Sequence, residues 1–369
     1  MCGFCGFTGQ VTDRETVLRE MTERITHRGP DSTGFYLDDG IAMGFRRLSI
    51  IDLEAGQQPL YNEDKSLVLM FNGEIYNYPS LRRELLEAGH TFVTETDSEV
   101  LVHGFEEWGE ALLPRLRGMF AFAIWNVEEQ TLFLARDYFG IKPLHYTLLP
   151  DGRFFYASEI KSLLAHPDFV REFNDSALDH YLSFQYSVPR ETFFKNVYCL
   201  PPAHYLWFRD GQVTEHRYWE PRFEPDEGMT LDQAVVSIDN AFTDSVEAHR
   251  ISDVEVGCFL SGGVDSSFVA SYFGGQKAFT VGFDNGSHYN ECQYAAELAQ
   301  EIGIDHYTHL IGEEEYWASL PDVQYHLDQP LADPSCVALY FVSKLAAEHV
   351  KVVLSGEGAD ELFGGYRIY

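Results

Sequence analysis

Cysteine at position 2 is where chemistry in this chain would start. Removal of the initiator methionine leaves Cys2 as the first residue, with its thiol a few bonds from its own α-amine. An α-amine titrates near ~8 and a free thiol near ~8.5. The amine can therefore take the thiol's proton near neutral pH, and one residue supplies nucleophile and base. Cys2-Gly3-Phe4-Cys5 is also formally a C-x-x-C, but a redox or zinc reading wants a following helix or a second pair, and neither follows. Farther along, Asn72-Gly73 closes an apolar run and offers a side-chain amide and a glycine N–H, the donors of an oxyanion hole; the same pair also reads as a hairpin turn. Arg47, inside the strand-like run Gly44–Asp52, needs a carboxylate from the protein or from a substrate. Asp97 reads as a helix N-cap or as a partner for an ammonium group. His27-Arg28-Gly29-Pro30-Asp31 sets a cation and a carboxylate beside a rigid turn, suited to a site wall.

The second half carries different chemistry. Ser261-Gly262-Gly263-Val264-Asp265-Ser266-Ser267 lies between a strand and a helix, where backbone N–H groups and the helix dipole hold an anion. It is neither a Walker loop nor G-x-G-x-x-G. Its serines and N–H groups suit a pyrophosphate, and Asp265 suits a magnesium ion. Ser355-Gly356-Glu357-Gly358-Ala359-Asp360-Glu361 is a second glycine loop after a strand. Open α/β sheets bind ligands at that edge, so Asp265 and Asp360 are expected to meet over one metal–pyrophosphate group.

The elements that must position these residues divide into two patterns. Strands at Gly3–Thr8, Leu67–Phe71, Met119–Asn126, Thr131–Arg136 and Phe154–Ala157 predict stacked antiparallel sheets, with helices from Asp13 to about Ile25 and from Glu99 onward. After a Pro-, Trp- and acid-rich stretch near residue 222, helices and strands alternate and predict a parallel sheet. The boundary therefore falls between 1–222 and 223–369. Acidic residues outnumber basic ones 58 to 26, for a net charge of −32, which argues against nucleic-acid binding. No apolar run reaches a membrane span and no signal peptide is evident, so a cytoplasmic location is expected. Six scattered cysteines fit reduced thiols.

In order and spacing, Cys2-Gly3, His27-Arg28-Gly29-Pro30-Asp31, Arg47-Leu48-Ser49-Ile50, Asn72-Gly73-Glu74-Ile75-Tyr76-Asn77 and Asp97 resemble the glutaminase domain of N-terminal-cysteine glutamine amidotransferases. The resemblance implies an Ntn-hydrolase-like fold in which Cys2 attacks the glutamine amide. Asn72 and Gly73 would form the oxyanion hole, Arg47 would hold the substrate carboxylate, and Asp97 with Glu74 its ammonium end. Cys5 stands where such proteins often carry a small aliphatic residue. Ser-Gly-Gly-x-Asp-Ser resembles the loop of the ATP pyrophosphatases, of adenine nucleotide alpha hydrolase-like fold. With Leu354–Glu361 and the upstream glutaminase, the chain is similar to the glutamine-hydrolysing asparagine synthetases. That likeness implies an ATP site at Leu260, Ser261, Gly262, Gly263, Asp265, Ser266, Val281, Ser355 and Gly356, with Glu357 near a β-aspartyl-AMP intermediate. The family's synthetase domain runs well past the position of Tyr369, so this one reads as incomplete at its C-terminus. The implied substrates are glutamine, aspartate and ATP with Mg²⁺; a homodimer stays open. Two other readings stand beside it, an amidotransferase for another carboxylate acceptor and a non-catalytic sensor or binding homologue. Asp328–Ser335 gives no reading of the aspartate pocket.

Overall fold

The computed structural model describes residues 1–186, 190–284 and 290–366, which fall into two compact units. One comprises Met1–Phe223 together with Asp328–Leu331; the other comprises Glu224–Leu327 and the chain from Ala332 onward.

In the first unit β1 (Gly3–Thr8), β2 (Ser32–Leu37), β3 (Ile41–Arg47), β4 (Leu60–Tyr61), β5 (Leu67–Ile75), β6 (Gly118–Asn126), β7 (Thr131–Arg136), β8 (His145–Leu148), β9 (Phe154–Ala157), β10 (Tyr198–Cys199), β11 (His204–Arg209) and β12 (Gln212–Arg217) form two antiparallel sheets. Their orders are β10-β8-β9-β1-β3-β2 and β12-β11-β7-β6-β5-β4. Alternate side chains of a strand face opposite sides, and here both sides are apolar. Phe4, Met43, Phe45 and Tyr156 of one sheet meet Val68, Met70, Ala123 and Leu134 of the other in a shared layer. The outer face of the second sheet (Leu69, Phe71, Phe122) is covered by Leu81, Leu85, Leu101 and Phe105 of two helices, α2 (Tyr78–Ala88) and α3 (Glu99–Trp108). The outer face of the first (Cys5, Phe7, Ala42) is covered by Leu18, Met21 and Ile160 of α1 (Arg14–Glu23) and α4 (Ile160–Leu163). Burial of each such large side chain contributes roughly 1.5–3 kcal/mol. The result is a helix–sheet–sheet–helix sandwich.

Two local expectations give way to tertiary context. Asn72-Gly73 is no turn, because β5 runs straight through it and pairs Asn72 with Ala121 and Gly73 with Phe120 of β6. Glycine is needed there, since a Cβ on Gly73 would collide with the Met119 carbonyl. Asp13 precedes α1 in left-handed backbone, φ 56°, and its side chain makes no capping hydrogen bond. The first unit also holds a further α-helix, α5 (Asp175–Phe184), and a 3-10 helix at Gly109–Arg115.

The second unit opens on α6 (Leu231–His249), started by a capping box between Thr230 and Gln233. It continues with β13 (Val256–Phe259), α7 (Val264–Phe273), β14 (Lys277–Phe283), α8 (Cys292–Ile302), β15 (Asp305–Ile311), α9 (Glu313–Leu327), α10 (Ser335–Ala347), β16 (Val352–Leu354) and α11 (Ala359–Phe363). The four strands are parallel, in the order β15-β14-β13-β16. Among the described residues no helix is long and apolar enough to cross a membrane.

Candidate active site

Cys2 immediately precedes β1, whose register pairs Gly3 with Arg46 and so brings Cys2 beside the end of β3. Its Sγ lies 3.4 Å from the Leu48 N–H nitrogen, and the thiol can donate to the Leu48 carbonyl at 3.6 Å. From the other side Arg28 Nε donates to the Cys2 carbonyl at 2.8 Å. Arg28 is itself buried, and its Nη1 donates to Glu159 at 2.8 Å. Glu159 also holds His27 at 2.9 Å and Lys161, whose Nζ reaches Asp328 at 2.9 Å. Burial opposes the charge on Glu159, but His27, Arg28 and Lys161 overcome it and hold the carboxyl far below the usual carboxylate range.

Burial pushes the Cys2 thiol up; the Leu48 N–H and the adjacent chain-terminal amine pull it back. Burial likewise lowers the Met1 amine to about 5, helped by Arg28 and Lys142. With Met1 in place, both groups favour their neutral forms in this environment.

Cys2, Arg47, Gly73, Glu74 and Asp97 line one pocket. Arg47 is buried and donates to the carbonyls of Ile51 at 3.1 Å, Asp52 at 2.6 Å and Leu53 at 3.4 Å, so it also pins the turn after β3. Those acceptors are neutral, although Asp52 and Asp97 feel its charge, and a ligand carboxylate would bond the guanidinium directly. At the opposite sign, Glu74 and Asp97 form a buried like-charge pair. Burial and then Asp97 raise the Glu74 carboxyl well above its usual range, and burial raises Asp97 to about 7 against the N–H groups that bond it. One of those is Ile75 N–H, which donates to Asp97 Oδ2 at 2.8 Å. The Asp97 side chain therefore ties α3 to β5, while the cap position of α3 belongs to Ser98. A pocket with a cation at one end and two frustrated carboxylates at the other is matched to an α-amino acid.

Asn72 is not among the residues lining this pocket. It is 1 % exposed, and its Nδ2 has no hydrogen-bond partner among the described residues. Strand alternation sets it on the face of Val68 and Met70, the layer against which Cys2 packs. An unmade bond at a buried donor costs about 1–3 kcal/mol, which a ligand oxygen would recover. Sequence reasoning missed Leu48 as a backbone donor, Gln58, whose side-chain amide brackets Phe71 N–H and C=O at 2.6 and 3.1 Å, and Glu159. The charged pair Glu159 and Lys161 between Ala157 and Leu163 was the available signal for the last.

In the second unit Gly262, φ +81°, turns the chain out of β13 and into α7. The helix already begins at Val264, so Asp265 and Ser266 lie in its first turn. Ser261 and Ser266 hydroxyls bond one another at 2.9 Å, and Ser261 N–H donates to Ser266 Oγ at 3.1 Å, which fixes the loop. The loop after β16 closes on it: a Cβ on Gly356 would stand 3.0 Å from the backbone of both Asp265 and Ser266. Ser355, Gly356 and Asp265 are thus brought together. Glu357 is exposed, with its N–H directed at Ser355 Oγ, 3.4 Å away, and Asp360 is half-buried in the first turn of α11. Leu260 is a core residue packed with Val269 and Ala278, and Val281 packs against Val342 and Phe341. Open N–H groups at the start of α7, a cradle that any side chain at 356 would fill, and half-buried carboxylates make a donor set that fits a triphosphate with a divalent cation.

Residues 1–219 match the family described as glutamine amidotransferase domain, and residues 237–369 match asparagine synthase. Asparagine synthetase [glutamine-hydrolyzing] 1 of Bacillus subtilis is 45 % identical over 379 aligned residues, which cover 100 % of this chain and 59 % of that protein. Asparagine synthetase B of Escherichia coli is 32 % identical, over 99 % of this chain and 65 % of its own length. The chain thus spans about three-fifths of the length of these relatives. Among solved structures, the glutamine phosphoribosylpyrophosphate amidotransferase of B. subtilis complexed with ADP and GMP aligns with TM-score 0.45 and 16 % identity, over 83 % of this chain and 65 % of that one.

Proposed function

The chain belongs to the glutamine amidotransferase domain family, and from that premise we propose that it makes asparagine from aspartate with ammonia drawn from glutamine. Residues 1–222 act as the glutaminase and residues 223–369 as part of the ATP-using synthetase. The observation that carries this reading is the pocket that joins Cys2 to a cation at Arg47 and to the carboxylates Glu74 and Asp97.

Arg47 takes the substrate α-carboxylate, and Glu74 with Asp97 takes its ammonium group, which leaves the side-chain amide to face Cys2. Once Met1 is removed, the freed Cys2 amine accepts the thiol proton as sulfur bonds to the amide carbon. The carbonyl oxygen gains charge and is met by Asn72, Gly73 and the Leu48 N–H. The amine then returns its proton to the leaving nitrogen, the C–N bond breaks, and ammonia departs from a γ-glutamyl thioester. Water adds to the thioester, releases glutamate and restores the thiol. In the other half, the aspartate β-carboxylate displaces pyrophosphate from ATP to give β-aspartyl-AMP, and ammonia displaces AMP. The N–H groups at the start of α7, with the Ser261–Gly263 loop, Ser266, Ser355 and Gly356, bind the phosphates. Asp265 and Asp360 would hold a magnesium ion, and the chemistry such an ion would supply there is charge neutralisation on the phosphates. Glu357 sits at the edge of the same loop, beside the acceptor's carboxylate. All substrates are small molecules, and the cytoplasm, where they meet, is the proposed location.

Glutamate release from glutamine, followed in the parent and in Cys2→Ala, tests the first half directly. Hydrolysis should vanish in the variant, while a glutamine-binding signal in the pocket persists. Equal turnover in both proteins would remove Cys2 as nucleophile.

A further inference from the structure

Away from the pocket, Glu63, His90, His103 and Glu106 converge: one donor atom from each lies within 4.8 Å of all the others. The four come from three separate stretches. Glu63 sits in the turn between β4 and β5, His90 follows the Gly89 that ends α2, and His103 and Glu106 share one face of α3 at i, i+3 spacing. Glu63 is held toward His90 by the Thr91 N–H, which donates to its Oε1 at 2.7 Å.

The histidines present the same atom to the centre. His90 Nδ1 lies 3.3 Å from Glu63 Oε1 and 3.8 Å from Glu106 Oε2, and His103 Nδ1 lies 3.2 Å from Glu63 Oε2. Zinc bonds imidazole nitrogen and carboxylate oxygen at about 2.0–2.2 Å, so the edges of its tetrahedron measure about 3.3–3.6 Å. The separations from the Glu63 carboxylate to the two rings are close to that size, and the one from His90 to Glu106 is slightly longer. Each ring's second nitrogen faces a further carboxylate, Glu107 at 3.5 Å from His90 Nε2 and Glu99 at 3.4 Å from His103 Nε2. This is the carboxylate–histidine arrangement that fixes the tautomer of a metal-ligating ring. Glu99 is anchored in turn by the Val93 and Thr94 N–H groups, each at 2.7 Å.

A second observation points to a ligand. His103 is 1 % exposed, and its Nδ1 faces the centre without a hydrogen-bond partner among the described residues. With Glu99 at its Nε2 and Glu63 at its Nδ1, the ring stands between two carboxylates, and a metal ion at the centre would give Nδ1 and Glu63 a shared partner. Two carboxylates inside the cluster and two behind it surround the two imidazoles.

We propose that Glu63, His90, His103 and Glu106 bind one divalent transition-metal ion of the zinc class, which clamps the end of α2 and the turn before β5 onto α3. Two nitrogen and two oxygen donors select zinc-like ions over the all-oxygen preferences of magnesium and calcium. The clamp stands on the helix whose N-terminus follows Asp97, so it is structural support for the pocket wall and contributes no group to the reaction.

The test uses the full chain stripped of metal, dialysed against Zn²⁺ in the presence of excess Mg²⁺, with Co²⁺ as the spectroscopic probe. One ion per chain is expected, with a tetrahedral Co²⁺ spectrum that lacks the thiolate-to-cobalt charge-transfer band. His90→Gln and Glu106→Gln, at the rim of the cluster where Glu106 is exposed and His90 largely covered, should each weaken uptake at least tenfold and remove the rise in melting temperature that Zn²⁺ gives the parent. Cys2→Ser should leave uptake unchanged, which separates this site from the thiols. The proposal is overturned if the parent takes up no stoichiometric ion, as when His103 is merely an imidazolium between Glu63 and Glu99. It is equally overturned if uptake survives in both rim variants, or if the cobalt spectrum shows sulfur ligation.

Discussion

Asp97→Asn should stabilise the ligand-free protein at alkaline pH and weaken glutamine binding at the same time. Burial lifts the Asp97 carboxyl from about 3.9 to about 7, beside a Glu74 that is raised as well. A carboxyl whose folded value exceeds its unfolded one contributes most below pH 4 and loses that contribution as pH rises through 7. A shift of about three units at 1.36 kcal/mol each amounts to about 4 kcal/mol, an upper figure because Glu74 shares the proton. Asparagine keeps an oxygen for the Ile75 N–H and carries no charge, so it avoids this cost. For a unit of this size 1 kcal/mol moves the melting temperature by roughly 2–4 °C. The variant should thus melt up to about 8–16 °C higher than the parent at pH 8.5 and much closer to it at pH 5. Glutamine's ammonium group relieves the same repulsion, so in a Cys2→Ala background glutamine should bind tighter as pH rises from 5 to 8, with release of protons. Asp97→Asn should flatten that profile. Scanning calorimetry and titration calorimetry read both effects, and a melting shift equal at the two pH values, or glutamine affinity unchanged by the variant, would refute the reasoning.

Other perturbations separate the roles. Asn72→Ala should lower kcat for glutamine hydrolysis by about 10²–10³ with little change in KM, because an oxyanion donor acts mainly in the transition state; Arg47→Ala should chiefly raise KM, and the two are distinguished by steady-state kinetics. Glu159→Gln leaves Arg28 buried without its carboxylate and Lys161 with Asp328 alone, and should cost roughly 3–5 kcal/mol. Because this carboxyl is depressed, that contribution is present above about pH 4 and fades only below it, so denaturant titration at pH 7 should show the full loss. Asp265→Asn and Asp360→Asn should each abolish exchange of labelled pyrophosphate into ATP, assayed with aspartate and Mg²⁺ in the full-length enzyme, and leave glutaminase turnover intact.

What could be read from the sequence divides along the range of the forces involved. The periods of β1, β5 to β7 and β9, and the alternation of helix and strand after residue 230, are local patterns and follow from which faces must be apolar. Residues that reach the pocket from the ends of such strands, Cys2, Arg47 and Gly73, are legible for the same reason. Asn72-Gly73 shows the limit of local reasoning. Its turn propensity is outweighed by a nine-residue strand whose partners on β6 bury both flanks. α9 breaks the pattern from within, because Pro321 stands inside it. The buried charges are harder still. Arg28 and Glu159 are separated by 131 positions, and neither has a local reason to be buried until the β1 and β9 pairing sets Ser158 against Phe4. The four convergent residues at 63, 90, 103 and 106 have no motif spacing beyond the single turn between the last two. Only the packing of α2 against α3 brings them together, and with it comes a cost that sequence cannot display: a buried imidazole held between the Glu63 and Glu99 carboxylates. Buried polar atoms without a hydrogen-bond partner among the described residues, His103 Nδ1 in one place and Asn72 Nδ2 in another, each call for an explanation, and a ligand at the four-residue cluster or beside Cys2 would supply one.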